Sequence, residues 1–518
     1  MNGNFYEALD AVMAAQGSKA ALVDPVGGTL SYEALRAHTA AVADVLAEAG
    51  VQTSDRVLVQ ADKSMACVVL YLAVLRRGAV YVPINTAYTD AEVAYFVADA
   101  QPRLFVHEAS RQAGPELSAA LADGQVSASP IGRLAADRPN PEACPEHALA
   151  QRAVRRAATR DTPPAVVDGH DMAAIVYTSG TTGRSKGAML SHSNIASNAR
   201  ALLALWGWRS DDVLLHALPI FHVHGLFVAL HCALLGGSTV RFLPQFDAET
   251  VCEELDRCTV LMGVPTFYTR LLALPQFDRA ASAGVRLFIS GSAPLTEQTF
   301  AQFEARTGQR ILERYGMSET VMITSNPLAG ERVAGTVGFP LPGVDVRVVD
   351  EQGEGAATGQ VGSIEVRGPN VFAGYWQQPE KTRSEFREGG FFITGDLGIQ
   401  DDDGRLSIVG RSKDLVISGG YNIYPKEVER LLDAQPAIRE SAVIGVPHAD
   451  FGEAVVAVVV PALDQEPDLR SVQDALGEQL ARYKQPKHVA VVNELPRNAM
   501  GKVQKNLLRD RFEALFAG

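Results

Sequence analysis

The chain has 518 residues, more than the roughly 250–300 at which a single hydrophobic core stops growing, so at least two domains are expected. Hydrophobic residues make up 47% and charged residues 21% of it, which excludes a disordered chain. The formal net charge of −13 excludes a general affinity for nucleic acid or anionic membrane, although a local group of cations could still hold an anionic ligand.

The opening MNGNFYEALD has no basic flank before an apolar run, so it does not read as a signal peptide. In chain order, Arg56–Gln60 predicts a strand, a helical stretch runs through Tyr71–Leu75, and Ala79–Val82 is apolar again. Such alternation predicts a layered α/β architecture. The longest apolar stretch, Cys67–Leu75, is too short to span a bilayer. Cys67, Cys144, Cys232, Cys252 and Cys258 form no CxxC pair and are odd in number, which argues against a zinc site or a disulfide framework and fits a reducing compartment. A cytoplasmic protein is expected. Residues 109–164, rich in Ala, Pro, Arg and Asp, predict surface helices and loops without a functional role.

The texture then changes. Met172–Tyr177 is an apolar run that enters Thr178-Ser179-Gly180-Thr181-Thr182-Gly183-Arg184-Ser185-Lys186-Gly187. The glycines let backbone approach a ligand without a β-carbon in the way. Hydroxyls and backbone N–H groups can donate to phosphate oxygens, and Arg184 and Lys186 add positive charge. The spacing is not GxxxxGK[ST], so no P-loop NTPase is implied. Two further apolar strands, Val285–Ile289 and Ile311–Tyr315, also end in small-residue turns, Ser290-Gly291-Ser292 and Gly316. Ligands bind at such strand ends in α/β sheets. A domain boundary falls near Gly410–Lys413. Beyond it, Asp414–Ile417 predicts a strand and Ser418-Gly419-Gly420 a turn. Pro425 opens a helix with Val428, Leu431 and Leu432 on one face, and Ala454–Val460 predicts a strand. The expected organisation is a large N-terminal α/β domain of several subdomains over 1–410, a hinge at 411–413, and a small mobile α+β lid over 414–518.

The phosphate-loop motif resembles the signature of the adenylate-forming superfamily, which includes acyl-CoA synthetases, luciferases and peptide-synthetase adenylation domains. Further matching segments follow in order: Leu218-Pro219-Ile220-Phe221-His222, Tyr315-Gly316-Met317-Ser318-Glu319-Thr320, Thr394-Gly395-Asp396, Gly410-Arg411-Ser412-Lys413-Asp414 and Pro496-Arg497-Asn498-Ala499-Met500-Gly501-Lys502. The resemblance thus covers nearly the whole chain. It implies the adenylate-forming fold, with ATP, Mg²⁺ and CoA as cofactors. A carboxylate attacks the α-phosphate of ATP, pyrophosphate leaves, and a thiol then takes the acyl group. The first step needs a docked nucleophile and positive charge more than it needs a base.

The same resemblance assigns roles. Lys502 bridges the reacting carboxylate and α-phosphate. Glu319, with Thr178, holds Mg²⁺. Thr178, Ser179, Gly180, Thr181, Thr182, Gly183, Lys186 and Thr320 surround phosphates, and Gly291 belongs to the same nucleotide site. Tyr315 stacks on adenine, while Asp396 and Arg411 hold the ribose. His222 stands beside the acyl site as a gate. Lys413 is the hinge, and Gly419 and Gly420 line the pantetheine tunnel. Lys505, close to Lys502 in sequence, reads as an ordinary solvated lysine.

For the acid, Leu261–Thr269 followed by Arg270 is similar to the segment that holds the distal carboxylate in malonyl-CoA synthetases, with Ser292 adding a hydroxyl and Met317 lining the pocket. Arg can grip a second carboxylate through two parallel hydrogen bonds. Malonate or methylmalonate is the expected substrate. A medium-chain or aryl acid–CoA ligase is the alternative, and the apolar Val321-Met322-Ile323 after Glu319 fits methylmalonate or another acid altogether. Oligomeric state is left open.

Overall fold

The structure is a computed structural model that describes residues 2–25, 28–132, 148–156, 163–178, 185–462, 467–477, 479–498 and 501–516. Ser179, Gly180, Thr181, Thr182 and Gly183, named above as phosphate contacts, lie outside the described residues, as do Arg184 and Met500.

Among the described residues the strands form four sheets, of nine, seven, four and five strands. Parallel neighbours dominate the first two. In the nine-stranded sheet Val260–Gly263, Leu287–Ser290 and Leu312–Tyr315 run side by side, so the turns after them open at one end. These strands read as nearly unbroken apolar runs because both sheet faces are covered. In the seven-stranded sheet Met172–Thr178 pairs antiparallel with Lys186–Ser191. The phosphate loop is therefore the connection of a hairpin whose last rung is Thr178 opposite Lys186. A four-stranded antiparallel sheet follows, in which Phe392–Gln400 pairs with Leu406–Arg411 and brings Asp396 opposite Arg411.

One hydrophobic cluster extends from Phe5 to Leu406. From Val416 onward the buried residues form two clusters of their own. The strand Gly452–Pro461 joins them: Val455, Ala457 and Val459 face Val428, Leu432, Val472 and Leu476. Its other face, Val456, Val458 and Val460, meets Leu495 and Leu508. A strand alternates its side chains between faces, so burial on both sides demands an apolar residue at every position. The helix expected at Pro425 runs Pro425–Asp433. The strand expected at Asp414–Ile417 lies at Val416–Ser418, because Ser412–Asp414 forms a single 3₁₀ turn first.

The described part of residues 109–164 differs from expectation. Ser127–Pro130 forms the edge strand of the seven-stranded sheet, and Leu117, Ile131, Leu149, Ala150 and Ala153 are buried. Scattered apolar residues there hide a structural role that the average composition did not reveal. Among the described residues no helix is long and apolar enough to cross a membrane.

Candidate active site

The strand ends and the lid enclose a cleft. On its floor, Tyr315 donates its hydroxyl to Asp396 Oδ2 at 2.5 Å. Arg411 Nε lies 2.8 Å from Asp396 Oδ1. Asp396 is buried, and its backbone N–H donates to Thr394 Oγ1 at 3.1 Å. An ionised carboxylate has about four acceptor positions, so each oxygen keeps one for a ligand hydroxyl. Burial and the Asp396 charge hold the Tyr315 phenol well above its usual range, so it remains a donor.

Glu319 is buried beside this group. Tyr375 places its hydroxyl 3.0 Å from Glu319 Oε1 and 2.8 Å from Glu385 Oε2. One phenolic proton serves one carboxylate at a time, and Glu385 is also paired with Lys381. Lys186 approaches from the hairpin, with Nζ 3.7 Å from Glu385 Oε1 and 5.0 Å from the centre of the Tyr375 ring. Burial raises the Glu319 carboxyl above its ordinary value, opposed by the Tyr375 hydrogen bond and the Arg411 charge. A bound divalent ion would favour its ionised form. Oxygen ligands that include one or two carboxylates suit Mg²⁺, and Thr178 sits half-buried at the hairpin's end. No cluster of three or more His, Cys, Asp and Glu occurs among the described residues, so the site lacks an all-protein metal cage.

Thr320 is fully buried, and its hydroxyl accepts the Met317 N–H at 3.4 Å. It closes the Tyr315–Thr320 turn from inside. The hydroxyl of this turn that remains half-exposed is Ser318. The turn is also strained: Val321, β-branched and buried, has φ of 55°. A left-handed conformation is costly for such a residue and clusters at functional sites.

The acid side of the cleft is built from three segments. His222 Nδ1 accepts the His224 N–H at 3.3 Å, which leaves Nε2 as the protonated nitrogen of a neutral ring. His224 Nδ1 lies 3.2 Å from Ser292 Oγ. Burial, then the nearby Arg314 charge, pushes His222 down to about 4 and holds His224 well below the usual range. Both are therefore neutral at physiological pH. Ser292 has φ of 71°, another strained position, which turns its hydroxyl toward His224. Arg270 is exposed near the end of the helix Pro265–Leu272 and forms no hydrogen bond or ion pair among the described residues. Met317 is half-buried against the main core.

The lid presents Lys502. Its backbone is fixed by Asn498: the Lys502 N–H donates to Asn498 Oδ1 at 3.0 Å, and the Asn498 N–H donates to the Lys502 carbonyl at 3.0 Å. Gly501, with φ of 73°, rests against the helix Pro265–Leu272. Crowding by the cleft walls, then the charges of Arg411 and Lys413, pushes the Lys502 ammonium down to about 8, while Asp396 and Asp414 pull it up. The side chain still has a path to solvent, so this is a walled cleft and not a closed interior. Lys505 is no solvated lysine: it pairs with the buried Glu429 at 2.6 Å and pins the lid's last helix. Lys413 is exposed in the 3₁₀ turn Ser412–Asp414. Gly419 and Gly420 have φ of 59° and 82° and form the exposed tip of a hairpin between Ser418 and Tyr421. In this arrangement Lys502 is at the cleft and the glycine turn is not.

The positions therefore converge on one cleft: Thr178, Lys186, Tyr315, Glu319, Asp396 and Arg411 on one side, His222, Gly291 and Ser292 on the other, Lys502 above. Sequence reasoning missed Tyr375, Glu385, Ser318 and Arg314. For Arg314 a signal existed, since the charged Glu313 and Arg314 stood inside a buried strand that ends at the Tyr315–Thr320 turn. For Tyr375 and Glu385 none did, because only the fold brings them to Glu319.

This cleft, between an α/β body with parallel sheets and a lid that delivers a cation, defines a two-domain nucleotide-dependent enzyme. The chain belongs to the AMP-binding enzyme family, whose main part matches residues 9–376 and whose C-terminal domain matches residues 427–502. It is 35% identical to the mitochondrial malonate–CoA ligase of Mus musculus, over 95% of this chain and 88% of that one. It is 36% identical to a feruloyl-CoA synthase of Amycolatopsis sp, over 94% of this chain and 95% of that one. The crystal structure of ATP-bound MatB from Rhodopseudomonas palustris aligns over 100% of both chains, with 48% identity and a TM-score of 0.93.

Proposed function

We propose that the protein is an AMP-forming acid–thiol ligase that joins malonate to CoA through malonyl-adenylate, using ATP and releasing AMP and pyrophosphate. The observation that carries this reading is the placement of Lys502 at the cleft beside Arg411 and Asp396. There its ammonium screens the repulsion between an incoming carboxylate and the α-phosphate. That is the electrostatic help this displacement requires, because charge is spread over phosphate oxygens as the new bond forms.

Asp396 and Arg411 hold the ribose hydroxyls, Tyr315 packs against the base, and Thr178, Lys186 and the hairpin loop hold the phosphates. Glu319 and Thr178 would hold Mg²⁺, which neutralises phosphate charge when bound. Neutral His222 lines the acid pocket without adding charge. For the second step the lid turns about residues 411–413. Lys502 then withdraws, and the Gly419–Gly420 turn takes its place so that the pantetheine arm can reach the acyl carbon. The thiol sulfur bonds to that carbon, and AMP leaves with the C–O bond electrons. Ile417, Tyr421, Phe451 and Tyr483 are exposed on the lid around this turn, an apolar surface suited to such docking.

Malonate is favoured by the likeness to a malonate–CoA ligase over most of both chains. It is also favoured by the unpaired guanidinium of Arg270, which suits a second carboxylate. The buried Cys67, Cys232, Cys252 and Cys258 fit a reducing compartment, and we place the protein in the cytoplasm. The test is acyl-CoA formation with ATP, Mg²⁺ and CoA from acetate, malonate, methylmalonate, succinate, octanoate and benzoate. Malonyl-CoA is expected to dominate. Turnover of octanoate or benzoate without malonate would instead make it a medium-chain or aryl acid–CoA ligase.

A further inference from the structure

Arg314 lies in the strand Leu312–Tyr315, with its side chain on the opposite face from Tyr315. Its guanidinium occupies the space left by the missing side chain of Gly291: a β-carbon there would lie 2.3 Å from Cζ. It is 2% exposed. Nε and Nη2 are buried without a hydrogen-bond partner, and among the described residues the Arg314 side chain forms no hydrogen bond or ion pair.

The groups around it do not balance its charge. His222 and His224 are neutral rings. Tyr268 donates its hydroxyl to the Ile289 carbonyl at 2.6 Å and stays protonated. Glu313, its neighbour in sequence, points to the other face of the strand and attracts the Arg314 guanidinium only across the backbone, while burial raises the Glu313 carboxyl. An unpaired buried guanidinium is costly to a fold. It persists next to Gly291 and Ser292, at the turn that shapes the acid pocket.

We propose that Arg314 is the specificity-determining charge of this pocket, an uncompensated guanidinium beneath the Gly291–Ser292 turn that selects acids carrying a second carboxylate. The inference rests on the acid–CoA ligase reading above and adds to Arg270, exposed on the helix Pro265–Leu272, a buried cation beneath the Gly291–Ser292 turn. It acts through its field in a poorly solvated site, where charges are weakly screened. A second carboxylate supplies the missing counter-charge, whereas a monocarboxylate of similar size leaves it missing.

The test compares wild type, Arg314→Met, Arg314→Gln and Arg314→Lys in acyl-adenylate formation with malonate and with butyrate. Arg314→Met and Arg314→Gln are expected to lower the malonate-to-butyrate ratio of kcat/KM at least 100-fold, and Arg314→Lys to keep most of it. Thermal unfolding provides a second reading. Arg314→Met is expected to melt no lower than wild type, since it removes an unpaired buried charge, and to lose the rise in Tm that malonate gives wild type. If Arg314→Met does not fold, the Lys and Gln variants decide: the same ratio in both overturns the proposal. Equal loss of both acids in the Met variant, or an unchanged ratio, also overturns it. Wild-type protein that forms no malonyl-adenylate sinks the malonate reading itself. Wild-type activity with an unchanged ratio in the variants sinks only the role of Arg314.

Discussion

Gly501 of the lid meets Thr266 of the body so closely that a β-carbon on Gly501 would lie 3.2 Å from Thr266 Oγ1. The contact sets Lys502, one residue further on, at its height over the cleft. Gly501→Ala adds both that crowding and the strain of a left-handed alanine, about 1–2 kcal/mol. Pyrophosphate exchange with malonate and ATP is expected to fall about tenfold, with Thr266→Ala restoring part of it. Unchanged exchange would mean that the lid loop does not close through this contact.

Lys502 carries a charge poised to titrate. Its ammonium is held at about 8 in the free protein, so the cation is present below that pH and lost above it. The kcat/KM for adenylation is expected to fall as pH rises through about 8. Bound phosphates favour the ammonium, so the same limb in kcat is expected at higher pH. Lys502→Ala is expected to lower adenylation by about 10²–10³-fold while preserving thioester formation from supplied malonyl-adenylate. Equal loss of both half-reactions would remove the role given to this residue.

Tyr375 bridges Glu319 and Glu385, and its hydrogen bond holds the Glu319 carboxyl down against the effect of burial. Tyr375→Phe raises that pKa, so Glu319 is protonated at higher pH than before. The acid limb of the rate profile is expected to shift upward, and half-saturating Mg²⁺ to rise about tenfold, the effect of one hydrogen bond to a charged group. A Mg²⁺ titration at pH 6 and pH 8 checks both. The same curve for both proteins would leave Tyr375 without this function.

Lys413 lies in the 3₁₀ turn that links body and lid. Hinges act through backbone rotation, so the informative change is to the backbone. Lys413→Pro is expected to slow thioester formation several-fold more than adenylation, measured as separate half-reactions. Normal overall turnover would move the hinge elsewhere.

Arg270 has no partner among the described residues and is exposed near the end of the helix Pro265–Leu272. Arg270→Ala is expected to abolish measurable malonate use, because a second carboxylate then lacks its bidentate partner. Unchanged malonate kinetics would refute the anchor.

Much of this arrangement was legible before any coordinates. Arg56–Gln60 forms the strand its pattern predicts, and Met172, Leu287 and Leu312 begin strands where apolar runs meet small-residue turns. These signals are local, since burial on both faces and the demands of a turn are written in neighbouring residues. Arg314 was not legible in the same way. Its meaning depends on Gly291, whose missing side chain is noticed only once two strands lie together. Thr320 depends on the fold in a related way: the turn directs its hydroxyl inward and leaves Ser318 half-exposed. Lys505 looked like a surface lysine because Glu429, far away in sequence, completes its pair.

The strand Gly452–Pro461 carries apolar side chains to both of its faces, each with its own partners beyond residue 416. The small C-terminal piece thus has an interior that borrows nothing from the large one. Two separate melting transitions are the consequence, along with tolerance of a protease nick in the linker: the fragments would each stay folded, and mixing them would reassemble activity in proportion to how strongly they associate.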